Sequence, residues 1–384
     1  MKKTIEDLST HLRDRALELR KLKETGVKIV GYFPGGFVPE ELVRSCSAVP
    51  VGLVRGGDHD AVQATLSYSC RFIDAFAKAQ LGYRLLREDP FYQMIDLYVV
   101  PIVDRNTGAI ASYWEFYADA EVFKFGVPHL RTDYAFKYYL DGIKLLKDRL
   151  EELTGIKVTD EKLKEQVDLY NRMRGLFQKI SYLRKKERPP ISGKEFIKLN
   201  HDSYYADLSL FVEVLESLLE ELKSKEGPVK RPRIMLTGST LAMGDSRVVD
   251  LIEASGGAIV IEEFAEGVRP YNHKVLTDGD LMNALADMYF GRRMPGAFAR
   301  PATGQRFDYL IKLAREFNVD GIIWYNMTYR DSYNTEGFYF EKLLRDEVGI
   351  PVLKLESEYD PVEVGPLRTR IETFIETLKT QKGA

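Results

Sequence analysis

Cysteine is nearly missing from this 384-residue chain, which has only Cys46 and Cys70. Two thiols cannot build a disulfide scaffold. They are also too few to hold an iron–sulfur cluster or a structural zinc with thiolates alone. Histidine is sparse too: His11, His59, His129, His201 and His273 never fall three or four positions apart, so no helical face carries a histidine pair for a metal. Neither sign of charge is in excess. The 55 Lys and Arg residues stand against 58 Asp and Glu, a formal net charge of −3, where a nucleic-acid-binding domain would show a basic surplus. Long apolar runs are absent, the longest being Met94 to Val103 at about ten residues, the length of a buried strand and half of a bilayer span. The opening Met-Lys-Lys-Thr-Ile-Glu-Asp-Leu has no apolar targeting core. Neither nucleic acid nor membrane is expected as a partner, and a cytoplasmic protein with reduced thiols is the default.

Familiar catalytic motifs are missing as well. No Gly-x-Ser-x-Gly elbow is present. The stretch Thr237-Gly-Ser-Thr-Leu-Ala-Met-Gly-Asp245 has neither Gly-Lys-Ser/Thr nor Gly-x-Gly-x-x-Gly. It reads first as a structural turn, although amides at a helix N-terminus could hold an anion there.

What is present is the balance of a globular protein, 45% hydrophobic and 29% charged. Ile5, Leu8, Leu12, Ala16, Leu19 and Leu22 predict an amphipathic helix over 5–25, with Gly26 as its stop. Apolar strands are predicted over 28–33, 50–54 and 94–103, with helices between them. Helical periodicity dominates 134–226, broken at Arg188-Pro189-Pro190. Strands return at 234–239, 258–261, 321–325 and 351–355, and 368–378 closes as a helix. Alternating strands and helices imply an α/β fold with parallel sheets. The expected organisation is two doubly wound, Rossmann-like lobes, 1–133 and 231–384, around a helical segment, 134–230.

In such sheets, ligands bind beyond the carboxyl ends of strands. The turns after Phe33, Val103, Leu236 and Tyr325 are therefore the candidate site region, with Pro101-Ile-Val-Asp104-Arg105-Asn106 its sharpest feature. Glu40 and Glu41 follow a strand and turn, so each is a candidate general base, although the helix dipole alone favours carboxylates in a first turn. Tyrosine is abundant, with 22 residues. The groups at 113–117 and at Tyr325, Tyr329 and Tyr333 suit core packing or an aromatic-lined pocket. Spacing alone yields a two-lobed protein with a cleft and no catalytic set.

The order of segments resembles the 2-hydroxyacyl-CoA dehydratase and class I benzoyl-CoA reductase family. Gly31-Tyr-Phe-Pro34, Val38-Pro-Glu-Glu-Leu42 and Ala48-Val-Pro50 are similar to its opening. Ser67-Tyr-Ser-Cys70 resembles its first cluster cysteine, and Pro101-Ile-Val-Asp104 its Pro-x-x-Cys-Asp turn. Thr237-Gly-Ser239, Gly267-Val-Arg269, the run from Asp320 to Asp331, Gly349-Ile-Pro351 and Thr369 to Phe374 resemble its second lobe.

The resemblance implies paired related subunits, cysteine-bound iron–sulfur clusters at an acyl-CoA site and a separate ATP-hydrolysing activator that delivers low-potential electrons. Of three cluster ligands this chain keeps Cys70. Asp104 stands at the second position and Arg330 at the third, and Ala265 and Phe298 fall near positions where some relatives carry further cysteines. A guanidinium has no free lone pair and stays protonated, so no cluster of its own is expected. An Asp104–Arg330 ion pair in the vacated space is one expectation, and separate solvent-facing side chains are the other. The expected function is the clusterless subunit of a heteromeric acyl-CoA enzyme whose cysteine-rich partner carries the cluster. A benzoyl-CoA reductase type is preferred over a 2-hydroxyacyl-CoA dehydratase. The rivals are a non-catalytic scaffold that kept the fold and an enzyme with its own cofactor, such as flavin.

Overall fold

The computed structural model describes residues 3–297 and 303–383, so Phe298 lies outside it. Helix α1 (Ile5–Glu24) begins with a capping box, in which Thr4 Oγ1 accepts the Asp7 N–H while the Asp7 carboxylate accepts the Thr4 N–H. It stops at Thr25, and Gly26 just beyond is left-handed (φ +95°), a conformation that costs glycine nothing.

The first lobe runs β1 (Ile29–Tyr32), α2 (Glu40–Ser45), β2 (Val49–Gly52), α3 (His59–Gln63), α4 (Ala75–Leu86), α5 (Pro90–Gln93), β3 (Leu97–Ile102), α6 (Arg105–Tyr117) and β4 (Val122–Gly126). Its strands pair in parallel in the order β2-β1-β3-β4. Ile-Val-Gly-Tyr and Leu-Tyr-Val-Val-Pro-Ile are buried almost throughout, as a sheet covered on both faces requires. The apolar pattern does not reveal β4, because Val-Phe-Lys-Phe-Gly is a short, partly exposed edge strand without a continuous apolar run. Residues 69–74, expected as the start of a helix over 69–86, are irregular turns and bends, and α4 begins only after the Asp74 cap.

Helices α7 (Asp133–Thr154), α8 (Asp160–Leu183), α9 (Gly193–Asp202) and α10 (Leu208–Lys223) follow without a strand. The second lobe runs β5 (Arg233–Gly238), α11 (Arg247–Ala254), β6 (Ala258–Glu263), α12 (Leu281–Ala286), α13 (Thr303–Glu316), β7 (Gly321–Met327), α14 (Asp331–Leu343), β8 (Val352–Ser357) and α15 (Val364–Gly383). Its order, β6-β5-β7-β8, is again all parallel and repeats the first. The α/β expectation of two doubly wound lobes is met.

Successive residues of the second sheet serve different cores, as strand alternation dictates. Ile234, Leu236, Ile323 and Tyr325 join a core continuous with the first sheet and α7. Met235, Ile322 and Trp324 face a core built by α8, α9 and α10. The lobes also meet by backbone. The Met243 N–H donates to the Val54 carbonyl at 2.9 Å and the Gly56 N–H to the Met243 carbonyl at 2.9 Å. Gly57 (φ +80°) is pressed here against Asp245, whose backbone nitrogen a Cβ would approach to 2.7 Å. This is the structural role of the 237–245 stretch.

Candidate functional site

Both strand orders reverse their winding between first and third strands, β1/β3 and β5/β7, which is where doubly wound sheets open a crevice. The two crevices face one another across a single cleft. Phe33 and Phe37 after β1 line it, with Pro101 and Asp104 from the end of β3 and Ser239, Thr240 and Arg330 after β5 and β7. The empty volume is about 810 Å³ with its open mouth included. The strand-end turns expected to form the site do converge.

Arg330, which follows β7 and stands at the N-cap position of α14, is a buried cation at the cleft. Its guanidinium lies 2.8 Å from Asp104 Oδ2 and 2.9 Å from Asp74 Oδ2. The expected Asp104–Arg330 pair is therefore present, with a second carboxylate that sequence reasoning missed. Asp74 is fully buried. Burial pushes its carboxyl up, while the neighbouring Arg330 and the Ala77 N–H oppose that rise. Each aspartate has two tasks. Asp104 Oδ1 accepts the Thr107 N–H at 2.9 Å and caps α6, and Asp74 Oδ1 accepts the Ala77 N–H at 2.7 Å and caps α4. In sequence Asp74 was legible only as a helix cap.

This donor set does not fit an iron–sulfur cluster. Cys70 is exposed, in a turn whose N–H donates to Tyr113 Oη at 2.9 Å. Arg330 offers no lone pair, and both carboxylates are engaged by it and by helix N-termini. Among the described residues no three His, Cys, Asp or Glu side chains gather as a metal group.

Further along the cleft, Glu266 is buried and accepts the Leu241 N–H at 3.3 Å. Burial raises its pKa to about 7, against the pull of backbone donors and of Arg269 and Arg330. Arg269 is held bidentately by Glu263 at 2.6 and 3.0 Å and donates to Tyr333 Oη at 3.2 Å. His129 is exposed, and its Nε2 lies 2.6 Å from the Val103 carbonyl. Arg131 has no carboxylate among its described partners. It donates to the Phe290 and Arg293 carbonyls, with its guanidinium 4.0 Å from the Phe290 ring centre, and burial lowers its pKa to about 10. The signals for Glu266 and Arg269 were their closeness to the Gly267-Val-Arg269 stretch. Arg131 left none.

Glu40 and Glu41, the candidate general bases, do not line this cleft. Both sit in the first turn of α2, behind the 34–38 turn. Glu41 is buried against Arg174 (2.7 Å) and Tyr289 Oη (2.8 Å). Glu40 accepts the Tyr32 hydroxyl, and burial raises its pKa to about 7. The tyrosines divide: Tyr325 is core, Tyr333 reaches the cleft, and Tyr117 meets Tyr113 at a tilt and Tyr68 edge-on. Ala265 lines the cleft without a polar group.

The family described as 2-hydroxyglutaryl-CoA dehydratase, D-component, matches residues 36–378. A provisionally named dehydratase subunit of Escherichia coli K12, YjiM, is 26% identical over 94% of each chain. The (R)-phenyllactyl-CoA dehydratase beta subunit of Clostridium sporogenes is 25% identical over 94% of each. One of the benzoyl-CoA reductase subunits of Thauera aromatica is 23% identical over 92% of this chain and 91% of its own.

Proposed function

Because the chain belongs to the 2-hydroxyglutaryl-CoA dehydratase D-component family, we propose that it is the clusterless subunit of a heteromeric, ATP-dependent, low-potential acyl-CoA enzyme. The iron–sulfur cluster is carried by a cysteine-rich partner subunit, ATP is used by a separate activator, and the complex works in the cytoplasm. The observation that carries this reading is Arg330 clamped between Asp74 and Asp104, at a position where the resemblance implies a thiolate ligand.

The cleft is this chain's contribution. Its Phe, Pro and Val walls exclude water, which strengthens electrostatic interactions with charge developing beside them. Arg131, with no carboxylate among its described partners, is the cation that an anionic acyl-CoA would meet. Glu266, near half-protonated at neutral pH, is suited to hold or release a proton there. The reaction expected from the sequence is single-electron reduction of an aromatic acyl-CoA, and the reductase subunit among the relatives supports it. Dehydration of a 2-hydroxyacyl-CoA is the second reading, favoured by the family description and by the two dehydratase subunits at slightly higher identity.

The test is anaerobic purification of the chain alone and then with a cysteine-rich paralogue. Iron and acid-labile sulfide are measured in each, and the complex plus activator and ATP is assayed with benzoyl-CoA and with phenyllactyl-CoA. The expected result is iron only in the complex and turnover of one substrate class. Stoichiometric cluster in the lone chain overturns the clusterless assignment. A complex that turns over neither class identifies a scaffold instead.

A further inference from the structure

Behind the 34–38 turn, away from the cleft, lies a second cavity where the first lobe, α8 and the segment after α12 meet. Arg293 forms part of its wall together with Arg174, Glu40, Tyr32, Tyr204 and Tyr289. The centre of a water-sized sphere can move over about 40 Å³ of it. At roughly 10–15 Å³ for one water, that is room for a few waters or one small ion.

The charges around this space do not balance. Arg174 is ion-paired with Glu41 at 2.7 Å and donates to Tyr289 Oη at 2.8 Å, although its Nε–H finds no partner among the described residues. Arg293 is only 3% exposed and makes no ion pair among the described residues. It donates to the Gly36 carbonyl and, weakly, to Met288 Sδ at 3.8 Å, and its Nε–H has no partner. Burial accordingly lowers its pKa. A buried guanidinium without a carboxylate is costly, and native interiors rarely leave one so.

We propose that this cavity is a binding site for a small planar carboxylate of about acetate size, held by the Arg293 guanidinium between tyrosine rings. The planar fork of a guanidinium matches a carboxylate in geometry and charge. The Tyr289 ring already stands 4.8 Å from the Arg293 guanidinium and shields the pair from water. Among the described residues, Glu40 is the carboxyl that lines this cavity, and no ion pair joins it to an arginine. It accepts the Tyr32 hydroxyl, and burial, which raises its pKa, lessens its repulsion of an entering anion. The ligand supplies the negative charge that the chain does not. This site is independent of the acyl-CoA reading, since none of its wall is offered for that reaction.

The test is calorimetric titration of the full chain with sodium acetate and with sodium formate in low-chloride buffer, with sodium sulfate as the tetrahedral comparison. Saturable one-to-one binding of the carboxylates is expected, at least tenfold weaker for Arg293→Met, with no competition from sulfate. Arg293→Lys, which keeps the charge but not the fork, should also weaken binding, and it serves if the methionine variant does not fold. No saturable binding by the parent chain overturns the proposal. So does undiminished binding by either variant, or displacement by sulfate.

Discussion

Arg330 is a cation held from two sides, and the two sides belong to the other lobe. Its position after β7 puts it on the second sheet, whereas Asp74 and Asp104 begin helices of the first. Removing one member of a buried pair leaves the other charged in a poor dielectric, typically at about 3–5 kcal/mol. Arg330→Met should therefore destabilise the protein by about that amount. Adding Asp74→Asn should recover part of the loss, because the amide keeps the α4 cap without the stranded charge. Urea unfolding of the parent, single and double variants measures this. A single variant within ~0.5 kcal/mol of the parent would mean that the pair carries no stability. The resemblance pointed to Asp104 and Arg330 in the sequence. Asp74 was not legible as a partner, because it sits 256 residues away from Arg330 and only the packing of the lobes brings them together.

Among the helices, α6 depends on the same aspartate. Thr107 and Asp104 form a reciprocal capping box, with the Asp104 N–H donating to Thr107 Oγ1 at 3.1 Å. The two carboxylate oxygens divide the labour, Oδ1 for the helix and Oδ2 for Arg330. Asp104→Asn should keep the cap and lose only the charge. Asp104→Ala should lose both, with an additional cost of roughly 0.5–2 kcal/mol, the size usual for N-caps. Hydrogen exchange of the first-turn amides of α6 separates the two. Equal exchange in both variants would show that the cap does not hold this helix end.

Across the molecule as a whole, buried titratable groups outside any ion pair make stability depend on pH. Burial raises Glu40 and Glu266 to about 7, so the folded protein keeps protons that the unfolded chain has released. Their contribution is present at low pH and is lost as pH rises from about 4.5 through 7. Burial lowers His201 to about 4, with its ring nitrogen 2.8 Å from the Leu241 carbonyl. The unfolded chain then binds the extra proton, and stability is lost as pH falls from about 6.5 through 4. Glu266→Gln removes one of these titrating groups. Its stability relative to the parent should rise between about pH 5 and about pH 8 by on the order of 3 kcal/mol, read from urea midpoints at each pH. A difference that does not change with pH would show that Glu266 stays ionised in the folded state.

Continuous apolar strands between amphipathic helices admit little but parallel α/β lobes, so the fold class was already settled in the order of residues. So was the place where the cleft opens, because crevices follow from strand ends. The motif order pointed to the family that the comparisons bear out, and the resemblance singled out Asp104 and Arg330, which the fold brings together. What a side chain faces is a different matter. Glu40 and Glu41 follow a strand end in sequence just as Asp104 does, yet the 34–38 turn puts them on the far side of the cleft wall. Burial of Glu266, the second carboxylate on Arg330 and the unpartnered guanidinium of Arg293 all depend on which distant segments close over them. Local pattern records a residue's neighbours along the chain, whereas desolvation and pairing are set by neighbours across it, and those exist only once the lobes have packed.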